Sequence, residues 1–175
     1  MGKQKLKAYL NNLCKEELME QVVELYQTSK EVKKYYDFLL NPDHEKIVDE
    51  WKVRISKEYF PTRGKRIKAR RSIGQKAVRD LEFLGLTPDV IADVRLYAIE
   101  VAALYTFQYK KRDIDFFNSF FQQYKKALAY MRQNGILSDF KNRAHEIVKT
   151  VKEANWRNCA EFEMLYVETY LKKQQ

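Results

Sequence analysis

The chain has 175 residues, 45% of them hydrophobic and 14% aromatic, with 33 Lys+Arg against 24 Asp+Glu and a formal net charge of +9. That length suits one domain able to bury roughly 70% of its unfolded surface, and so apolar a composition excludes disorder as the default. With only five Gly and three Pro and an abundance of Lys, Glu, Leu, Ala, Gln and Arg, it favours helix throughout.

Leu6, Tyr9, Leu10 and Leu13 recur at three- and four-residue spacing and predict a short first helix. Cys14 reads as the N-cap of the second, with Glu17 as the N3 half of a capping box, although a thiol is a weaker acceptor than a hydroxyl. Leu18, Val22, Leu25 and Tyr26 share its face, and Thr28-Ser29 breaks it. A third helix carries Val32, Tyr35, Tyr36 and Leu39 and ends at Asn41-Pro42. Pro42 suits the first turn of a fourth helix, with Asn41 as its cap. That helix turns Ile47, Val48, Trp51 and Ile55 inward and runs to about Tyr59, before a turn over Phe60–Gly64.

Helix is expected next from about Lys65 to Leu84. Gly85, Thr87 and Pro88 then supply a C′ residue, an N-cap and an N1 residue in succession. The helix over 88–109 has Val90, Val94, Tyr97, Ala98, Val101, Leu104 and Tyr105 on one broad stripe. Asp113 caps a helix bearing Phe116, Phe117, Phe120, Phe121, Tyr124, Leu128 and Met131, closed by Asn134-Gly135. Phe140, Ala144, Ile147, Val148 and Val151 mark another, Asn155-Trp156 a loop, and Phe162, Leu165 and Tyr166 a last helix over about 158–171. Nothing alternates with period two and no repeat stands out. The expectation is all-α: a single all-helical domain over 1–175, with eight or nine mostly antiparallel helices in a bundle or a curved array of helical hairpins.

The charge is not spread evenly. Pro61–Arg79 holds eight basic residues, Arg63, Lys65, Arg66, Lys68, Arg70, Arg71, Lys76 and Arg79, and no acidic one. The 33 Lys+Arg less these eight leave 25 against 24 Asp+Glu, so the excess is local, as a polyanion-binding surface requires. On a helical wheel, Ile67, Ile73, Gly74, Ala77, Val78, Leu81 and Leu84 share an arc, with Lys65, Lys68, Lys76 and Arg79 opposite. Arg66 and Arg70 fall within or beside the apolar arc and Arg71 at its edge. An inward arginine requires a carboxylate, a phosphate or water. Two readings stand together. The stripe attracts nucleic acid or another polyanion while the inward arginines clamp a phosphate, or the arginines pair with Glu100, Asp93, Glu161 or Glu163 of neighbouring helices.

No GxGxxG or GxxxxGK[ST] loop occurs, nor HExxH or ExxH, and His44 and His145 are the only histidines. Asp43-His44-Glu45 reads as a helix first turn. No metal and no cofactor is expected. Glu100, inside LYAIEVAALY, could serve as a general base in an enzyme with an arginine-lined pocket, or as a buried ion-pair partner. Cys14 and Cys159 make no metal or redox spacing and read as reduced thiols. The N-terminus lacks an apolar signal core, and no apolar run is long enough to span a membrane. A soluble cytoplasmic protein is expected. The paired phenylalanines at 116–117 and 120–121 are wide for one helix face. They are either covered on two sides or offered to a second copy of the chain in a homodimer.

The opening LKAYLNNLCKEELMEQVVELY, followed by KEVKKYYDFLLNP and a YFP-x-RG-x-basic stretch, resembles a family of small all-helical bacterial proteins known only as a domain of unknown function. Cys14 stands where that phrase would have Ser. The resemblance implies one bacterial cytosolic helical domain and brings no activity, cofactor or site residue. The expected function is a non-enzymatic binding module whose basic segment meets an anionic partner, nucleic acid first. A protein–protein interaction role with the arginines in internal ion pairs is the alternative.

Overall fold

The computed structural model describes residues 2–171, which are all-α. They form α1 (Gly2–Leu10), α2 (Lys15–Thr28), α3 (Lys30–Leu40), α4 (His44–Tyr59), α5 (Ser72–Phe83), α6 (Pro88–Tyr109), α7 (Ile114–Gln133), α8 (Lys141–Glu153) and α9 (Cys159–Tyr170), with a 3-10 turn at Ser138–Phe140. No strand occurs among the described residues. The chain divides into two compact units, Met1–Asp43 and His44–Gln175.

In the first unit, local chemistry sets the boundaries. The capping box is present at Cys14: its Sγ accepts from the Glu17 amide at 3.5 Å, and the Glu17 carboxylate accepts from the Cys14 amide at 2.8 Å. Ser29 Oγ accepts from the Val32 amide at 3.4 Å and starts α3. α2 packs on α3, where the Tyr26 hydroxyl donates to the Asp37 carboxylate at 2.6 Å and the Tyr26 and Tyr36 rings meet edge-on at 6.5 Å. No residue of α1, α2 or α3 is buried.

The second unit is built around α6, against which α4, α5, α7 and α8 all pack, with α9 on α7 and α8. The single stripe expected on α6 is too narrow. Ile91, Leu96, Ile99 and Ala103 are buried as well, whereas Leu104 is exposed. A helix with four neighbours is apolar over most of its circumference, and that blurs its period. Phe116, Phe117 and Phe120 are buried and Phe121 half-buried, so the aromatic helix is covered on two sides, by α6 and α9. Trp156, in the expected loop, is a central core residue. It stacks on Phe117 at 4.9 Å, and its indole N–H donates to Thr106 Oγ1 at 2.6 Å.

Two helix starts differ from expectation. α4 begins at His44 rather than Pro42, and Asn41 is the C-cap of α3. α5 begins at Ser72 rather than Lys65, leaving residues 60–71 irregular. A helix over 65–71 would set like charges at three- and four-residue spacing (Lys65 with Lys68, Arg66 with Arg70, Lys68 with Arg71), and such pairs are unfavourable. The segment bonds outward instead: the Lys68 and Ala69 amides donate to the Glu58 carbonyl at 3.3 and 3.0 Å, with Ala69 in the left-handed region at φ +47°. The C-terminal end of α5 follows expectation, closed by Gly85 at φ +75°.

Candidate anion-binding surface

The irregular segment lies along the C-terminal half of α4, held chiefly by Glu58, with the Tyr59 hydroxyl also donating to the Arg70 carbonyl at 3.5 Å. Glu58 is only 7% exposed. Its two carboxylate oxygens accept from Arg70 Nε and Nη2 at 2.9 and 2.8 Å, the two-pronged pairing that suits a planar guanidinium. The Arg70 side chain is itself 59% exposed. Arg70 is thus not aimed at the core, and its partner is Glu58 rather than Glu100, Asp93, Glu161 or Glu163.

Between the segment and α4 runs a cleft of about 520 Å³. Arg54 and Lys57 line it from α4, and Lys65, Arg66, Lys68 and Arg70 from the segment, with Pro61 and Ile73 as apolar wall. Glu58 is the one carboxylate among six cations, and Arg70 already engages it. Arg54 also approaches Glu50 at 3.7 Å and lies over the Trp51 ring at 5.0 Å. Clustered cations with so little countercharge set up a positive field that favours bound anions.

The remaining basic residues lie elsewhere, so the straight stripe of Lys65, Lys68, Lys76 and Arg79 does not form. Two of these residues are on the loop and two on α5. Arg63 is exposed in the turn and Lys76 on α5. Arg66 is exposed, not inward. Arg71 Nη1 donates to the Asp115 carbonyl at 2.9 Å, which ties the start of α5 to α7. Arg79 lines a separate recess between α5, α6 and α7. The sequence reading missed Arg54 and Lys57. Their three-residue spacing sets them on neighbouring turns of one face, but only the path of the following loop makes that face part of a cleft.

Glu100 is in an ion pair, with a partner the sequence reading did not single out. Arg143 of α8 donates to both its oxygens, at 2.6 and 2.9 Å, and pairs also with Asp93, which in turn accepts from Lys52 of α4 at 2.7 Å. These four groups, each 27–30% exposed, tie α4 and α8 to one face of α6. Burial pushes the Asp93 carboxyl up, but Lys52 and Arg143 more than offset it and hold it below the usual carboxylate range. With both oxygens on a permanent cation, Glu100 is braced as a structural carboxylate. The clue to Arg143 was its position in the apolar arc of α8, three residues after Phe140 and four before Ile147.

Among the described residues no group of three or more His, Cys, Asp or Glu is placed to hold a metal ion, and no helix is long and apolar enough to cross a membrane. The His145 ring stacks on Tyr166 at 5.0 Å. Cys14 and Cys159 are free thiols, the first exposed and the second half-buried.

The chain belongs to the family of unknown function DUF6155, whose model matches residues 1–170. No curated protein and no solved structure matches it.

Proposed function

We propose that this member of the family is a non-enzymatic binding module of the bacterial cytoplasm, and that the cleft between α4 and the 61–70 segment receives the phosphate backbone of a nucleic acid. The observation that carries this reading is the six-cation cleft with its single, already engaged carboxylate. Lysine and arginine along a groove neutralise successive phosphates and release counterions, so binding of this kind is independent of sequence and weakens steeply with salt. Arginine also pairs with phosphate through two parallel bonds.

Fluorescence anisotropy of labelled single- and double-stranded oligonucleotides, titrated across salt concentrations, tests it. Binding at low salt should weaken linearly on a log–log plot. Arg66→Gln and Lys68→Gln each remove one cation from the phosphate track and should flatten the slope by about 0.7–0.9. No binding at low salt, or a slope these variants leave unchanged, would sink the reading.

A second reading rests on a different observation. The first unit exposes Leu6, Met19, Leu25, Leu39 and Leu40 and buries none of its described residues. That is the composition of an association surface, and it supports an interaction protein that pairs with a second copy of itself. Light scattering that returned the monomer mass at all concentrations would count against it.

A further inference from the structure

The recess between α5, α6 and α7 is distinct from the cleft and has different chemistry. Its volume is about 240 Å³, below the roughly 300–1,000 Å³ of pockets for drug-sized ligands. Gly74 and Ala98 line it where α5 and α6 approach closely. A Cβ built on Gly74 would sit 2.6 Å from the Ala98 Cβ, too close for any side chain. Val78 adds an apolar wall.

Both buried side-chain atoms left unsatisfied at the recess are donors. Arg95 gives Nη2 to Glu82 at 2.7 Å and lays its guanidinium over the Tyr130 ring at 4.7 Å, but its buried Nε has no partner among the described residues. The buried Nε2 of Gln123 has none either. Arg79 and Lys126, both exposed, also line the recess and make no ion pair among the described residues. Buried donors normally find acceptors, and here three cations face one carboxylate. A cation or another donor would worsen this imbalance, whereas an oxygen-rich anion corrects it.

We propose that the recess is a binding site for a small molecule bearing one phosphate or carboxylate group. Arg79 and Lys126 supply charge, Arg95 and Gln123 supply N–H donors, and Val78 and Ala98 touch the carbon body. The cleft could fail to bind nucleic acid without affecting this site, because the two share no lining residue.

Separate titrations of the isotope-labelled protein with inorganic phosphate and with acetate, at constant ionic strength, test the proposal by amide NMR. At least one anion should give saturable shifts at residues 74–79, 95–98 and 123–126, and the arm that saturates tells phosphate from carboxylate. Arg79→Gln combined with Lys126→Gln alters two exposed positions and should weaken that binding about tenfold or more. Arg66→Gln combined with Lys68→Gln, in the cleft, should leave it unchanged. Shifts that never saturate with either anion, shifts confined to the cleft, or an affinity indifferent to the recess variant would overturn the assignment.

Discussion

The two units of the chain are helical for different reasons. In the first, α1–α3 contain no buried residue, and the evident determinants are local: the Cys14–Glu17 capping box, the Ser29 cap and the Tyr26–Asp37 hydrogen bond. In the second, α6 is enclosed by four helices and the aromatic side chains close over one another around Trp156. Caps contribute about 0.5–2 kcal/mol each, while a large buried side chain is worth several kcal/mol. Substitutions in the first unit should therefore act locally, and those in the second should act on the whole cooperative fold.

The largest effect is expected at the core. Phe117→Ala removes the ring stacked on Trp156 and should cost about 3–5 kcal/mol. At about 2–4 °C per kcal/mol for a chain of this size, calorimetry should show a clear drop in Tm. Leu25→Ala, at an exposed position, should change stability by no more than about 0.5 kcal/mol. A comparable loss at both sites would erase the distinction between the units.

Next is the brace on α6. Arg143→Met leaves Glu100 without a partner and Asp93 with Lys52 alone, for a loss of about 1–3 kcal/mol in this half-buried setting. The pH dependence follows from Asp93, whose folded carboxyl lies below its usual range. Its contribution is present above the unfolded carboxylate value and disappears as pH falls through the lower folded value. Denaturant titrations should show that acid loss in the parent chain and a shallower one in Arg143→Met.

The alkaline limb tests the core in the opposite direction. Burial raises Tyr170 to about 12, and burial raises Tyr59 and Tyr124 further still. Raised folded values stabilise fully below the ordinary tyrosine value of about 10 and are lost as pH climbs through the folded values. Tyrosinate absorbance from these three should rise only as the helical signal collapses.

The smallest effect belongs to the cap. Cys14→Ala should cost about 0.5–1 kcal/mol locally, seen as faster hydrogen exchange at the first turn of α2, with no change in the main Tm. Cys14→Ser should slow that exchange.

These contrasts also explain what the sequence made legible. Boundaries written in adjacent residues were readable, including the cap at Cys14, because the Cys-x-x-Glu spacing carries the capping box even with a thiol in place of a hydroxyl. The start of α5 was not readable from a wheel, which presupposes the helix it describes. What displaces the helix is like-charge crowding over 65–71 together with hydrogen bonds to Glu58, ten and eleven residues earlier. Glu100 was noticeable as a carboxylate in an apolar run. Its partner Arg143 lies 43 residues away, and only the packing of α8 on α6 brings them together. The cleft was half legible, since its loop side announces itself by charge and its α4 side does not.

Glu58 has a consequence beyond the pair it makes. Its carbonyl takes two amides of the basic segment and its carboxylate takes the Arg70 side chain, so one helical residue moors the loop near its C-terminal end through both main chain and side chain. A loop fastened in this way has fewer conformations to surrender. If the cleft receives an anion as proposed, part of the ordering cost of association is already met in the free protein, so that charge rather than the freezing of a mobile loop would set the affinity.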